Sequence, residues 1–469
     1  MPVERRDVTS EKFSKKGSVL RLDNNLQMGP YPRPSDEERV RDFQRKLYRK
    51  AKQEAAFRFY LLYDKICLGY VLREAYSRCR KNNGSPGLDN VTFEQIEERG
   101  VTEFLDELQQ ELKAKTYKPS AVKRVYIPKA NGKMRPLGIP TIKDRVAQMA
   151  CKMVIEPIFE ADFDDASYGF RPERSAQDAV TKIKEYLQEG NSKILDADLS
   201  AYFDTIPHDK LMKLIGMRIS DKNVLHLIKI WLKAPVSEDG KISGGKGNKR
   251  GTPQGGVISP LLANIYMHLI DRAVQREGGI FQRCGVKIVR YADDFVLIGR
   301  TMQREVIQRM KELLLRMELS LNEEKTRIID MHKDRKGFHF LGFEFRYNKD
   351  RMGRPCWYLH IGPSPKSGKK VRDKIHIYLH ENGHKPPAVI AKNLNAIICG
   401  WINYFTIPKV SYPAKSKRDL RFYLAISLTR FYQRKSQRAC KWAKKGAFGI
   451  LTKSWGLIDP AKYVLPVKA

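Results

Sequence analysis

The sequence predicts an α+β fold, and three observations predict it. Short runs rich in β-branched residues, AVKRVYIP (121–128), SKILDADL (192–199), VKIVRY (286–291) and FVLIG (295–299), are interleaved with helical stretches such as DRVAQMACKMVIEPIFE (144–160). Strands mixed with helices in this order build an α+β or α/β core. Beyond about Asp350 the chain changes character. A basic, Gly-containing connection leads to the helical segments PPAVIAKNLNAIICGWINYF (386–405) and SKRDLRFYLAISLTRFYQRKSQRACKWAKK (416–445). The third observation is length: 469 residues hold two or three domains of about 150 each. A boundary is expected near residue 350, to within about ten residues.

Taken in order, residues 1–34 are rich in charge, Gly and Pro without a period, and are expected to form a loose arm. From Ser35 the run to Ile66 reads as helical: Ser35 can cap, Asp36, Glu37 and Glu38 suit a helix start, and apolar residues recur at helical spacing. NNGSPGLDN (82–90) is dense in turn formers and separates this region from the strands that follow.

Charge narrows the partners. Lys and Arg number 88 against 53 Asp and Glu, leaving +35, an excess that a compact fold tolerates best when a polyanion screens it. Nucleic acid is the first candidate, because each neutralised phosphate releases counterions. At 42% hydrophobic and 10% aromatic, the chain is folded and not a basic tail. No apolar run reaches the ~18–20 residues a bilayer span needs, so no membrane partner is expected. The start, MPVERRDVTSEKFSKKG, lacks the apolar core of a signal peptide. The 7 cysteines are scattered and never form a CxxC pair, which argues for reduced thiols and a cytoplasmic (bacterial cytosol or nucleoid) location.

In so basic a chain, acids clustered among strand formers carry the most information. In VKIVRYADDFVLIG (286–299), two apolar runs flank Asp293 and Asp294, predicting a β-hairpin with adjacent carboxylates at its tip. Neighbouring strand residues point to opposite faces, so only a tip lets both approach one ion. In SKILDADLSAYFDTIPH (192–208), Asp196 and Asp198 share a strand face and Asp204 follows after a turn. A strand end beside the hairpin tip brings Asp198 to Asp293 and Asp294. Three carboxylates at one spot repel unless divalent cations lie between them, and Mg²⁺, a hard ion taking oxygen ligands, fits. Two such ions ~4 Å apart suit in-line phosphoryl transfer, activating a 3′-hydroxyl and stabilising pyrophosphate.

YADD together with the upstream DADLSAYFD resembles the palm of a reverse transcriptase, and the order of further motifs resembles the group II intron-encoded reverse transcriptase/maturase family. YIPKANGKMRPLGIP (126–140) is similar to its fingers motif and SYGFRPERSAQDAV (167–180) to the motif after it. GTPQGGVISPLLANIY (251–266) is similar to its Gln-Gly-Gly motif, LSLNEEKTRI (319–328) to its palm Lys motif and FHFLGFEF (338–345) to its primer grip. GWINYF (400–405) resembles the start of its thumb helices. The resemblance runs from about residue 55 to the C-terminus. It implies a right-hand polymerase: an N-terminal arm and helical extension (1–60), fingers and palm with a ferredoxin-like palm sheet (61–349), and a basic, α-helical thumb/maturase domain (350–469).

By that resemblance Asp198, Asp293 and Asp294 are catalytic, and Asp198, Leu199, Asp293 and Asp294 are the metal positions for two Mg²⁺, for which Mn²⁺ can substitute. Phe203 falls where the family has an aromatic gate; a flat ring there clashes with a 2′-hydroxyl and offers it no hydrogen bond, selecting deoxynucleotides. Lys129 and Arg135 are expected on the triphosphate, where Arg binds bidentately and Lys acts as a point charge. Gln254 is expected to line the nascent pair, with Gly255 and Gly256 letting backbone lie close to nucleic acid. Lys325 is either a general acid for the departing pyrophosphate or an ordinary helix-surface lysine. Arg171 and Arg174 either contact the strand or serve structure, with Asp178 as a partner. Trp401, Tyr404 and Phe405 read as thumb core, their basic neighbours as RNA contacts.

The partners implied are group II intron RNA, an RNA template with a DNA primer, dNTPs and a DNA target, with a homodimer left open. The activity implied is RNA-directed DNA synthesis together with help in intron splicing and retrohoming. The family's HNH endonuclease is not expected, since its Cys pairs are absent. Rival readings are a splicing-only RNA-binding maturase, which has no need of the acidic trio, and a domesticated relative in DNA repair or defence, which would share the palm. An RNA-dependent RNA polymerase is disfavoured by Phe203, which cannot partner a 2′-hydroxyl.

Overall fold

The computed structural model describes residues 34–465 apart from 129–131, 133, 246, 334–336, 351–355, 435–441 and 443–444. The arm expected over residues 1–34 lies almost wholly outside them. At Ser35 the helix Asp36–Gln53 starts with a reciprocal cap: Glu38 N donates to Ser35 Oγ at 3.2 Å, and Ser35 N donates to Glu38 Oε2 at 2.8 Å. This helix packs on Gly69–Asn82 and on Ile142–Glu160, a long apolar helix.

The helical reading of residues 35–66 is corrected in its middle. The helix stops at Gln53 because the Arg218 guanidinium caps its end, donating to the carbonyls of Ala51 (2.8 Å), Glu54 (3.2 Å) and Ala55. The chain then runs extended, Phe59 bridging in parallel to Ile219, before the short helix Tyr63–Ile66. Asp221 Oδ2 accepts the amides of Leu62 and Tyr63, both at 2.9 Å. Partners more than a hundred and fifty residues away thus override the local helical period.

Among the described residues three sheets follow. The first has the order β2-β1-β4-β5, built from β1 (Val122–Pro128), β2 (Met134–Ile139), β4 (Pro235–Glu238) and β5 (Lys241–Gly244). The second holds β3 (Lys193–Ala197), β6 (Lys287–Tyr291), β7 (Asp294–Gly299) and β8 (Arg327–Asp330) in the order β6-β7-β3-β8, antiparallel throughout. Counted 1 to 4 along the chain, its strands lie 4-1-3-2, the ferredoxin-like arrangement. Its two inner strands are apolar on both faces, with Ile194, Phe295, Val296, Leu297 and Ile298 all 0% exposed, because helices and the third sheet cover them. The third sheet, β9 (Phe338–Phe340), β10 (Phe343–Lys349) and β11 (Trp357–Pro363), continues strand structure past residue 350. Helices resume at Pro365–Glu381, then Pro387–Phe405, Ala414–Arg434 and Ala447–Ser454.

Among the described residues burial falls into three clusters. The largest joins the N-terminal helices to one face of the second sheet and to Ser259–Gln275. A second lies between that sheet's other face and the third sheet, and takes in Phe405. The third is the core of the C-terminal helices. Trp401 packs against the second and third, so the aromatics of GWINYF join sheet to helices as core, not as stacking platforms. Among the described residues no helix is long and apolar enough to cross a membrane.

Candidate active site

Register brings the acids together. β3 and β7 are antiparallel neighbours with Ala197 opposite Phe295, and the next residue outward on each is Asp198 and Asp294. β6 and β7 form a hairpin closed by the pair Tyr291 and Asp294, leaving Ala292 and Asp293 as its two-residue turn. Ala292 sits at φ +58, a left-handed conformation that costs an L-residue about 1–2 kcal/mol, so the surroundings must hold it. Asp198, distant in sequence, therefore meets Asp293 and Asp294 at one end of the sheet's inner strands.

The carboxylates feel one another. Asp294 stays exposed to water yet is crowded by protein, and that crowding, then the charges of Asp293, Asp198 and Asp196, push its pKa up to about 7. Burial raises Asp293, and burial with the Asp198 charge pushes Asp196 up to about 6. Lys325 Nζ pairs with Asp198 Oδ2 at 2.7 Å, and Asn322 N donates to the Asp198 carbonyl at 2.8 Å. Hard oxygen donors that raise each other's proton affinity are the donor set a divalent cation relieves. Among the described residues no group of three or more His, Cys, Asp or Glu is gathered closely enough to hold a metal ion by itself. Leu199 has a buried apolar side chain, so only its carbonyl could serve a metal.

Beside the acids, Phe203 lies on the short helix Tyr202–Thr205, 8% exposed, its ring edge-on to Tyr202 at 5.5 Å. Its carbonyl accepts Thr252 N at 2.7 Å, tying it to the segment that carries Gln254. Arg135, on β2, donates from Nε to Gln254 Oε1 at 2.8 Å, and Gly138 N donates to the Gln254 carbonyl at 2.6 Å. Gln254 Nε2 reaches Asp204 Oδ2 at 3.4 Å, so Asp204 faces this network. Lys129 lies outside the described residues, as does Lys133.

Residues 127–345 match the reverse transcriptase (RNA-dependent DNA polymerase) family, and residues 368–449 match the group II intron maturase-specific domain. Protein YkfC of Escherichia coli K12 is 37% identical over 350 residues, 67% of this chain and 90% of its own length. This chain belongs to the group II intron reverse transcriptase/maturase family.

The group II intron-encoded protein LtrA of Lactococcus lactis is 34% identical over 265 residues, 56% of this reverse transcriptase but 41% of LtrA. A putative COX1/OXI3 intron 2 protein of Saccharomyces cerevisiae is 32% identical over 200 residues, 43% of this chain and 23% of its own. Reverse transcriptases of this family use divalent metal ions.

The structure gives Arg171 and Gly255 partners within the protein. Arg171 is 7% exposed and its guanidinium is engaged internally: Nε and Nη2 bond Glu160 Oε1 at 2.8 and 2.6 Å, and Nη1 donates to the carbonyls of Ser167 (2.8 Å) and Asp164. Its partner is Glu160, not Asp178, which instead completes the Ser175 cap of Ala176–Gln188. Gly255, at φ +111, makes room for protein: a Cβ there would stand 2.3 Å from the Gly138 carbonyl oxygen. Gly256 N closes the same turn on Pro253 O at 3.1 Å. Arg174 stays at the surface, paired with Asp165 at 2.5 Å.

The residues that hold the acidic turn were not singled out from sequence. Arg290, completely buried, donates from Nη1 to the Ala292 carbonyl and to Asn264 Oδ1, both at 2.9 Å, while its other nitrogens bind Asp271. Asn264 Nδ2 donates to the Gly169 carbonyl at 2.7 Å. Gly169 lies so close that a Cβ would sit 2.3 Å from Ala292 N. The available signal was an arginine inside the otherwise apolar run VKIVRY, where burial demands a partner.

Proposed function

We propose that this protein extends a DNA primer on an RNA template, and that it also binds group II intron RNA to assist splicing and retrohoming. The observation that carries the first reading is the meeting of Asp198 with the Ala292–Asp293 turn and Asp294 across adjacent antiparallel strands. Two Mg²⁺ held by Asp198, Asp293, Asp294 and the Leu199 carbonyl would supply charge neutralisation for the attacking 3′-oxygen and the departing pyrophosphate. The chain's own groups do the rest. Phe203 sets a ring against the sugar edge and leaves a 2′-hydroxyl unsatisfied. The Arg135–Gln254 bond joins the β1–β2 hairpin to the Gln-Gly-Gly turn, so that a triphosphate contact and a base-pair contact are positioned as one unit. Lys325 Nζ, within reach of the acids through Asp198, is the proton source for the leaving pyrophosphate.

The second reading is supported by the maturase-specific match over residues 368–449 and by the basic helices there. The DNA target is a further partner in this reading, as substrate of the same site. The test is primer extension by purified protein with an RNA template, a DNA primer, dNTPs and Mg²⁺, alongside intron RNA binding. Asp293→Ala should abolish extension and leave RNA binding nearly intact. Extension that survives this substitution would show that the site is misassigned.

A further inference from the structure

Away from the acids, a cavity of about 620 Å³ opens between the helices His208–Arg218 and Lys222–Leu232 and the loop at Asn248 and Lys249. Its floor is apolar, from Met212, Leu225 and Leu232, while its rim carries Lys222, Lys229, Lys233 and Lys249 against the carboxylate of Asp209. Lys222, Lys229 and Lys233 follow one another at helical spacing, a row about 16 Å long at 1.5 Å per residue. Among the described residues, Lys222, Lys229 and Lys249 form no ion pair with a carboxylate. Like charges so placed repel one another until an anion joins them.

The cavity wall is joined to the Phe203–Gln254 corner beside the acids by backbone. His208 N donates to Lys249 O at 3.0 Å, Gly251 N to Ile206 O at 2.8 Å, and Thr252 N to Phe203 O at 2.7 Å. Lysine rim and Phe203–Gln254 corner are thus two ends of one clasp.

We propose that this cavity is a track for the unpaired template strand before it enters the cleft, with a base on the Met212–Leu225 floor and successive phosphates along the lysine row. Apolar floor and cationic rim together match a nucleotide, which has a flat base and an anionic backbone. Of the strands at a polymerase site, the one still to be copied has its bases free. The row is longer than the triphosphate of one free nucleotide, which favours a strand. This inference rests on the polymerase reading above.

The experiment measures binding, without catalysis, of a primer–template bearing either a one-nucleotide or a ten-nucleotide unpaired RNA overhang, over a range of salt. In the wild-type protein the long overhang should bind several-fold tighter and with a steeper salt slope. Lys222→Glu combined with Lys229→Glu should erase that gain and lower the slope by about 1.4, at roughly 0.7 per single-strand phosphate contact, leaving the short overhang unchanged. Lys222→Gln with Lys229→Gln should do the same without reversing charge, with thermal melting as the check on folding. An overhang gain equal in wild type and both variants overturns the proposal. So does millimolar ATP binding that needs both lysines while the overhang gain does not, which would make the cavity a free-nucleotide site. A protein that extends no primer but keeps a lysine-dependent gain would refute the polymerase reading and with it the template role, leaving a single-strand RNA site.

Discussion

Arg290 and Asp271 form a bidentate ion pair directly behind the acidic turn, Nε to Oδ1 at 2.8 Å and Nη2 to Oδ2 at 2.5 Å, with both side chains 0% exposed. The pair aims the remaining guanidinium nitrogen at the Ala292 carbonyl, and so holds a non-glycine residue in the left-handed region where the turn needs it. Removing one partner strands a buried charge and should cost about 3–5 kcal/mol, so Asp271→Ala should melt far below wild type. Replacing both, as Arg290→Met with Asp271→Leu, should recover much of that stability, because apolar side chains of similar volume tolerate the site. It should not recover turnover, since the Ala292 carbonyl then lacks its donor. A double variant that is both stable and fully active would show that the pair contributes packing alone.

What could be read from sequence was whatever a local period dictates. The hairpin over residues 286–299 was legible because two apolar runs bracket two acids, and the Ser35 cap because its partner Glu38 is three residues away. What could not be read depends on partners brought by the fold. The helix end at Gln53 is fixed by Arg218, the burial of Arg171 by Glu160, and the need for glycine at 255 by the Gly138 carbonyl. Arg290 stood in plain view within a strand, but only the helix Ser259–Gln275 reveals why a cation is there.

Arg171 offers a clean separation of structure from binding. Arg171→Ala leaves Glu160 and two carbonyls without their donors, so stability should fall by several kcal/mol, on the scale of about 3–5 for a broken buried pair. Measured below its lowered melting temperature, the variant should bind RNA with the wild-type salt slope. A slope shallower by about one contact would mean that Arg171 reaches a phosphate.

Phe203 is held edge-on to Tyr202, with its carbonyl tied to Thr252, so its ring has little freedom to move aside. Phe203→Val should open space at the sugar edge and raise ribonucleotide incorporation relative to deoxynucleotide, while dNTP turnover falls less. The measurement is the ratio of kcat/KM for the two sugars on one template. An unchanged ratio would remove Phe203 from sugar selection.

If the proposed site holds the metal, its use should depend on pH, with a sign fixed by the raised pKa values. Asp294 is pushed up to about 7 and Asp196 to about 6, so between the ordinary carboxylate range and pH 7 the folded protein holds protons that the unfolded chain has already released. Without metal, these groups therefore favour the folded state at acid pH and progressively less as pH rises toward 7. A divalent cation needs the ionised carboxylates and must displace those protons. The Mg²⁺ concentration for half-maximal primer extension should then rise as pH falls below 7, by about tenfold per unit for each proton displaced. Asp294→Asn should lose this dependence in metal binding as well as most activity, and without metal it should melt above wild type at pH 8. Thermal-shift titrations with Mg²⁺ at pH 6, 7 and 8 test this independently of turnover. Equal midpoints across that range would mean that the carboxylate cluster is not where the cation binds.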